Sequence, residues 1–196
     1  AGICSPNVQN NSDAYFHAKS IDEIKTFLSG NGNNCSTIVS TPANTAPNIV
    51  TVPNYSIPVS TPFVLTLDAT DPQGHDMTFA WDQMNSYTSP AQTMPPTSTN
   101  STGPIFRSIE ATSLPSRYFP PLENVINNTA NTWQVLPSVA RSMSFRGVVR
   151  DWTGVFGCNN EVNITVSTVN AGAGAFSVTS FNTANTWNVG DTKTIT

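Results

Sequence analysis

The polar loop at residues 68–76, which we call the acidic loop, has the residue types best suited to chemistry in this 196-residue chain. Its carboxylates, Asp68, Asp71 and Asp76, stand at positions i, i+3 and i+8 around a glycine turn. Asp151, from a predicted neighbouring strand, adds a fourth carboxylate. Ca²⁺ takes such oxygen ligands, about six to eight at a time. The loop and Asp151 therefore predict a Ca²⁺ site.

A simpler interpretation of the loop stays open. Asp side chains commonly cap the backbone amides of β-turns, and such a turn needs no ion. His75 also stands where a further oxygen donor would help a Ca²⁺ site. Asp82, on the strand after the loop, is an additional donor that a Ca²⁺ site could recruit.

No catalytic residue is expected in this chain. Its two histidines, His17 and His75, lie far apart in the sequence. The His-Glu-x-x-His spacing of a zinc peptidase is missing from the sequence, as are the Gly-x-Ser-x-Gly turn of a serine hydrolase and a glycine-rich phosphate loop. Asp13 precedes His17 by four residues, but we expect His17 to anchor a helix through a hydrogen bond.

Charged residues are scarce, because Asp, Glu, Lys and Arg make up only 10% of the chain, against about 25% in a typical soluble domain. The formal net charge is −4, and no basic run occurs. Nucleic-acid binding needs clustered Lys and Arg, so that function is excluded. No apolar run approaches the roughly 20 residues that span a bilayer. A surface of hydroxyl and amide groups indicates a secreted or cell-surface, extracellular protein.

Three cysteines occur, Cys4, Cys35 and Cys158. Cys4 and Cys35 lie close enough in sequence to staple one small unit, and we expect a disulfide between them. Closing a loop of about thirty residues would stabilise the fold by roughly 3–4 kcal/mol. The alternative is two buried thiols. Cys158 then remains as a free buried thiol or as the partner of a cysteine outside this chain.

Residues 20–29 have the features of a short amphipathic helix. Ser20 and Glu23 form a capping box, and Gly30 stands where a helix-ending glycine is expected. The apolar residues on one face of this helix are Ile21, Ile24, Phe27 and Leu28. One helix and one disulfide cannot bury a core in forty residues. We therefore expect residues 1–39 to be the tail end of a larger domain.

From residue 48 onward, apolar residues recur with a period of two, which indicates strands. The predicted strands are residues 49–52, 63–69, 77–82, 141–151 and 162–169, with a shorter one at 105–108 inside a proline-rich excursion at 85–132. Short strands separated by turn signals are typical of an immunoglobulin-like β-sandwich. Trp81 is expected to be the large side chain in the middle of its core.

The predicted fold class is mainly β: an immunoglobulin-like β-sandwich with an N-terminal helical, disulfide-stapled segment and the start of a second β-domain. The expected order is an N-terminal tail at 1–39, a linker at 40–47, the sandwich at 48–170, a second linker at 171–174, and the first strands of a further β-domain at 175–196. A strand is predicted there at 176–179, a strand and turn at 186–192, and another strand beginning at 193.

Three aromatic residues are candidates for a binding patch. Tyr118, Trp133 and Trp152 lie in or near the excursion, where exposed rings would suit sugars or peptides. Such residues more often cover the core beneath a long loop, and this alternative is favoured.

Several motifs resemble one family when their order is considered. The N-terminal motifs are Cys4, Val8-Gln9, Asp13-x-Tyr15-Phe16-His17 and Ser20-x-x-x-Ile24. The later motifs are Thr61-Pro62-Phe63-x-Leu65, Ala69-Thr70-Asp71-Pro72-x-Gly74-x-Asp76, Trp81-Asp82-Gln83, Gly103-Pro104-x-Phe106-Arg107-Ser108 and Val149-Arg150-Asp151. Together they resemble secreted reprolysin-like (metzincin) zinc metalloproteases of the Bacteroidetes type, from the end of the catalytic domain through the following Ig-like domain.

The resemblance implies that residues 1–39 are the C-terminal tail of a metalloprotease-like domain, including its disulfide. In that family the zinc ligands and the catalytic glutamate precede this stretch, so Zn²⁺ would bind only in the upstream domain. In the acidic loop, relatives tend to have a further Asp where this chain has His75.

Two functions from different classes follow. The first is a non-catalytic accessory region of a secreted zinc metalloprotease, acting as a spacer or as a module that binds substrate or a surface. The alternative is a structural or adhesive cell-surface protein built of Ig-like domains. The partners expected are a protein or glycan substrate, or other surface proteins.

Overall fold

The computed structural model of this protein is mostly β. The described residues are 7–30, 32, 34, 44–86, 94–172, 180, 186–192 and 194. Cys4 and Cys35 lie outside these residues, so their disulfide stays a prediction. We call residues 7–30 the N-terminal segment, and residues 44–86 with 94–172 the β-body.

The N-terminal segment contains helix α1, Ala18–Ser29. The strands of the β-body are β1 (Asn48–Ile49), β2 (Tyr55–Pro58), β3 (Phe63–Thr66), β4 (Ala69–Thr70), β5 (Met77–Gln83), β6 (Ser116–Phe119), β7 (Arg141–Asp151) and β8 (Asn159–Val169). A short helix, α2 (Leu122–Ile126), follows β6. No helix within the described ranges is long and apolar enough to cross a membrane.

Four strands form the main sheet, in the order β2-β8-β7-β5. Strand β2 runs parallel to β8, whereas β7 pairs antiparallel with both β8 and β5. Two smaller antiparallel pairs, β3 with β6 and β1 with β4, complete the β-body. Trp81 on β5 lies opposite Gly147 on β7, where an added Cβ would come within 3.0 Å of the indole ring. Gly147 thus leaves room for the tryptophan.

An aromatic cluster joins the main sheet to the β3–β6 pair. Phe119 on β6 stacks on Phe63 of β3 with ring centroids 4.9 Å apart. Phe145, from β7 of the main sheet, contacts Phe119 at 5.0 Å and Phe63 at 5.8 Å. Trp81 is 1% exposed in the same core, which confirms its predicted role.

The predicted strands at 77–82, 141–151 and 162–169 are confirmed by β5, β7 and β8. The predicted strand at 63–69 is instead two strands, because the chain changes partner within it. The Leu67 amide donates to the Pro115 carbonyl, whereas the Asp68 carbonyl accepts from Val50. Of the first predicted strand, 49–52, only residue 49 lies in a ladder, since β1 ends there and its partner β4 has two residues.

The excursion contains more regular structure than its sequence indicates. Residues 105–108 form no strand, and Phe106 makes only an isolated bridge with Gln134. Strand β6 and helix α2 lie in the region predicted as irregular, and β2 was also not predicted.

Helix α1 begins two residues before the predicted start. His17 is its N-cap residue, and the imidazole Nδ1 accepts a hydrogen bond from the Lys19 amide at 3.0 Å. The helix-anchoring role predicted for His17 is therefore confirmed. The capping box of Ser20 and Glu23 is wrong, because both residues lie inside the helix.

The predicted further domain at 175–196 is described only in part. Residues 186–192 contain a turn at positions 189 and 190, in which the Asp191 amide donates to the Asn188 carbonyl at 3.1 Å. These seven residues form no strand, so of the strand and turn predicted at 186–192 the turn is confirmed and the strand is wrong. The strand predicted at 176–179 lies outside the described residues.

Candidate functional site

The N-terminal segment is fixed to the β-body by one buried carboxylate. Asp82, on edge strand β5, is 0% exposed. Its Oδ2 accepts a hydrogen bond from the Tyr15 hydroxyl at 2.6 Å and another from the Ala18 amide at 2.8 Å. Hydrogen bonds to an ionised acceptor are about twice as strong as neutral ones. A single oxygen atom therefore holds the first residue of helix α1 against the sheet.

We call the contacts between the N-terminal segment and the β-body the junction. Arginines of the β-body add further contacts to it. Arg146 on β7 donates from Nη1 to Asp22 of helix α1 at 2.6 Å. Arg107 donates from Nη2 to Gln9 Oε1 at 2.7 Å and to Asp13 Oδ2 at 3.2 Å. The hydrogen bond from Arg146 lowers the pKa of Asp22, so this carboxyl keeps its charge to a lower pH than a free aspartate does.

Tyr15 lies between the Asp82 carboxylate and the Arg150 guanidinium. The guanidinium carbon of Arg150 is 5.5 Å from the centroid of the Tyr15 ring. Burial raises the pKa of the Tyr15 phenol above its ordinary value, and the neighbouring Asp82 raises it further, although Arg150 opposes this. Tyr15 therefore remains a neutral hydrogen-bond donor over the whole physiological range of pH.

This raised pKa predicts that the junction fails at alkaline pH. Because the folded-state pKa exceeds the ordinary value of about 10, the stabilisation is complete below pH 10 and is lost as the pH rises further. An alkaline titration followed by tyrosinate absorbance should show one tyrosine ionising later than a free tyrosine. The late step should be missing in Tyr15→Phe, and a wild-type titration without it would contradict this expectation.

The acidic loop folds back onto the end of β7. Asp71, His75 and Asp151 each offer one ligand atom, and these three atoms lie within 4.8 Å of one another. We call these three residues the acidic cluster. Asn44 Nδ2 donates to Asp151 Oδ2 at 2.9 Å, and the Cys158 amide donates to Oδ1. The cluster and its hydrogen-bond partner Asn44 thus bring together residues that are up to 107 positions apart.

Backbone capping also occurs in this loop. Asp71 Oδ1 accepts from the backbone amides of Gln73, at 3.0 Å, and His75, at 2.8 Å. The His75 amide in particular lowers the pKa of the Asp71 carboxyl. The predicted turn with an Asp cap is therefore confirmed for Asp71, and it leaves the second carboxylate oxygen for another partner.

The other carboxylates predicted for Ca²⁺ lie elsewhere. Asp68 and Asp76 are exposed and do not belong to the acidic cluster. Asp82 is at the junction, where its Oδ2 is occupied by Tyr15 and Ala18. Of the four predicted ligands, the structure brings together Asp71 and Asp151 and adds His75.

The predicted aromatic residues do not form one patch. Tyr118 lines an apolar cavity of about 250 Å³ beside Trp81. Trp152 is 59% exposed and lines a different cleft, next to Tyr15 and Asp151. Trp133 is half-buried and lines neither of these two cavities, and its carbonyl accepts from the Arg107 amide at 3.0 Å.

The sequence did not identify the junction residues as functional. Asp82 follows Trp81 at the end of an apolar strand, a position where a buried carboxylate requires a partner. The chain has five arginines, and three of them contact the N-terminal segment, namely Arg107, Arg146 and Arg150. Because charged residues are scarce in this chain, these three arginines are the feature of the sequence from which the junction could have been predicted.

Comparison of the chain with protein-family models, with curated proteins and with solved structures found no match.

Proposed function

We propose that this chain is the non-catalytic accessory region of a secreted multidomain zinc metalloprotease. In this proposal the β-body is an Ig-like sandwich that serves as a rigid spacer, and the N-terminal segment is the tail of the catalytic domain. The order of motifs that resembles this family supports the assignment. The main observation behind the assignment is the junction, because a spacer must hold the preceding domain in a fixed orientation.

The fixed orientation follows from the contacts of Asp82. A flexible linker would leave residues 7–30 free, but Asp82 is fully buried and binds both Tyr15 and Ala18. Arg146 and Asp22 add a second point of attachment further along helix α1. Two attachments on one helix prevent it from rotating on the sheet.

The apolar face of helix α1 indicates where the catalytic domain would lie. Within the helix only Ala18 is buried, whereas Ile24 is 42% exposed, Leu28 49% and Phe27 64%. Phe16, just before the helix, is 65% exposed. Adjacent exposed apolar side chains mark a contact surface. We propose that the body of the catalytic domain covers this face, which leaves the opposite face attached to the β-body.

The arrangement of strands supports an Ig-like sandwich. The four-stranded sheet and the β3–β6 pair share one aromatic core, as the two sheets of a sandwich do. The parallel pairing of β2 with β8 and the two-residue strands depart from the seven-strand antiparallel pattern, and in this proposal they are variations on it. A protein surface suits the module better than a glycan, because its exposed aromatic residues are dispersed.

Peptidase assays on two chains test the proposal. We expect the whole protein to hydrolyse a protein substrate in a reaction that a zinc chelator abolishes and added Zn²⁺ restores. Residues 1–196 alone should have no such activity. Chelator-resistant hydrolysis, hydrolysis by the isolated chain, or a whole protein without peptidase activity would each contradict it, and the last would favour the adhesive alternative.

A further inference from the structure

Three polar atoms around the acidic cluster have no hydrogen-bond partner. Nine buried side-chain nitrogen and oxygen atoms lack one in the described part of the chain. Three of the nine are Asp71 Oδ2, His75 Nδ1 and Asn44 Oδ1. The Asp71 side chain is only 1% exposed, so water does not reach this oxygen freely. A buried polar atom without a partner costs about 1–3 kcal/mol, and the two that lie within the acidic cluster, on Asp71 and His75, indicate a missing ligand.

The same atoms have the charge and spacing of a cation site. Asp71 and Asp151 bring two carboxylates within 4.8 Å of each other and of the His75 imidazole. Like charges at that distance repel unless a cation or a proton lies between them. His75 Nδ1 is 3.4 Å from Asp71 Oδ1 and makes no hydrogen bond, so its lone pair is available to a metal.

We propose that Asp71, His75 and Asp151 bind one divalent transition-metal ion, with Zn²⁺ as the representative ion. Imidazole nitrogen and carboxylate oxygen together suit zinc and its neighbours, whereas Ca²⁺ takes oxygen ligands only. Asn44 would complete the set through its amide oxygen once the amide is turned over, because the two amide atoms occupy nearly equivalent positions. The site differs from the Ca²⁺ site that the sequence predicts, since it uses His75 and excludes Asp68 and Asp76.

The position of the ion gives it a structural role. Asn44 precedes β1, the acidic loop joins β4 to β5, and Asp151 ends β7. An ion shared by these three regions ties the start of the β-body to the edge of the main sheet. The proposal is independent of the peptidase assignment, because it concerns residues of the β-body alone.

Metal titration of the full 196-residue chain tests this site. The chain is stripped with a chelator and titrated with Zn²⁺ and, separately, with Ca²⁺ by calorimetry. We expect one Zn²⁺ per chain, a rise in Tm on binding, and Ca²⁺ affinity at least about tenfold weaker. His75→Ala and Asp71→Asn should each weaken Zn²⁺ binding at least about tenfold. Asp76→Asn, an exposed carboxylate of the same loop, is the matched control and should bind as wild type does.

We expect His75→Ala and Asp71→Asn to fold as the wild type does, so that a loss of Zn²⁺ binding reports on the site itself. The His75 side chain is 30% exposed, and Asn at position 71 keeps an oxygen that can accept the two backbone amides. Near-ultraviolet circular dichroism of each metal-free variant should match the metal-free wild type. The proposal is overturned if wild type binds no Zn²⁺ stoichiometrically, if His75→Ala binds Zn²⁺ as tightly as wild type does, or if Ca²⁺ binds more tightly than Zn²⁺.

Discussion

Replacing Asp82 with alanine should release the N-terminal segment from the β-body. The substitution removes two hydrogen bonds to a buried charged acceptor, and hydrogen bonds of this kind contribute about 1.5–3 kcal/mol each. It also leaves the Tyr15 hydroxyl without its buried partner. We expect the free energy of docking to fall by about 2–4 kcal/mol, less than the full value of both bonds, because the two donors can bind water once the contact opens.

Amide hydrogen exchange measures this release directly. Helix α1 has 12 residues, a length at which an isolated helix is marginal in water, so undocking should also remove its exchange protection. We expect protection across residues 18–29 to fall at least about thirtyfold in Asp82→Ala, while strands β7 and β8 keep theirs. Tyr15→Phe should lose about half as much free energy. Asp68→Ala removes an exposed carboxylate of the β-body and is the matched control. Protection unchanged in Asp82→Ala would refute the docking role.

Replacing Arg117 with methionine should destabilise the whole β-body. Arg117 on β6 is 7% exposed, and its guanidinium donates to the carbonyl of Trp81. It also donates to the carbonyl of Arg107 at 2.5 Å and to Gln134 Oε1 at 3.1 Å. Methionine keeps the unbranched stem but leaves two buried oxygen atoms and one part-buried oxygen atom without this donor, at about 1–3 kcal/mol for each buried one. Relief of the buried charge offsets part of this loss, so we expect a net loss of about 2–4 kcal/mol.

Urea unfolding gives the size of this effect. Burial lowers the pKa of the Arg117 guanidinium to about 10, which shows how far it is removed from water. Arg117→Lys keeps a positive charge but cannot reach three acceptors in a fixed planar fork, so it should recover less than half of the loss. If Arg117→Met has the same free energy of unfolding and the same m-value as wild type, then the guanidinium of Arg117 contributes nothing to stability.

The strands that could be predicted are those in which apolar side chains alone fill the core. Strand β7 alternates buried Met143 and Phe145 with less buried neighbours, and its predicted limits agree with the structure. Strand β6 was missed because its two inward positions are Arg117 and Phe119, and a buried arginine interrupts the apolar alternation. Strand β2 was missed because it is short, lies at an edge and ends at Pro58.

The acidic cluster and the junction differ in how much of each could be predicted from the sequence. Asp71 belongs to a local loop, so its turn and its carboxylates could be predicted from spacing. The pairing of Asp82 with Tyr15 joins residues 67 positions apart, and no local pattern specifies that contact. His75 argues against a Ca²⁺ site, because Ca²⁺ takes oxygen ligands. Its place within the acidic cluster suits the proposed ion, because that ion takes nitrogen.

In the proposed arrangement, the N-terminal segment is rigidly attached to the β-body and presents the apolar face of helix α1 to a catalytic domain. Hydrogen exchange across residues 18–29, compared between the whole protein and the isolated chain, tests it most directly. The account predicts that these amides are protected in the isolated chain and at least about tenfold more protected in the whole protein. Equal protection in the two chains would show that no domain covers Ile24, Phe27 and Leu28, and would contradict the proposed arrangement.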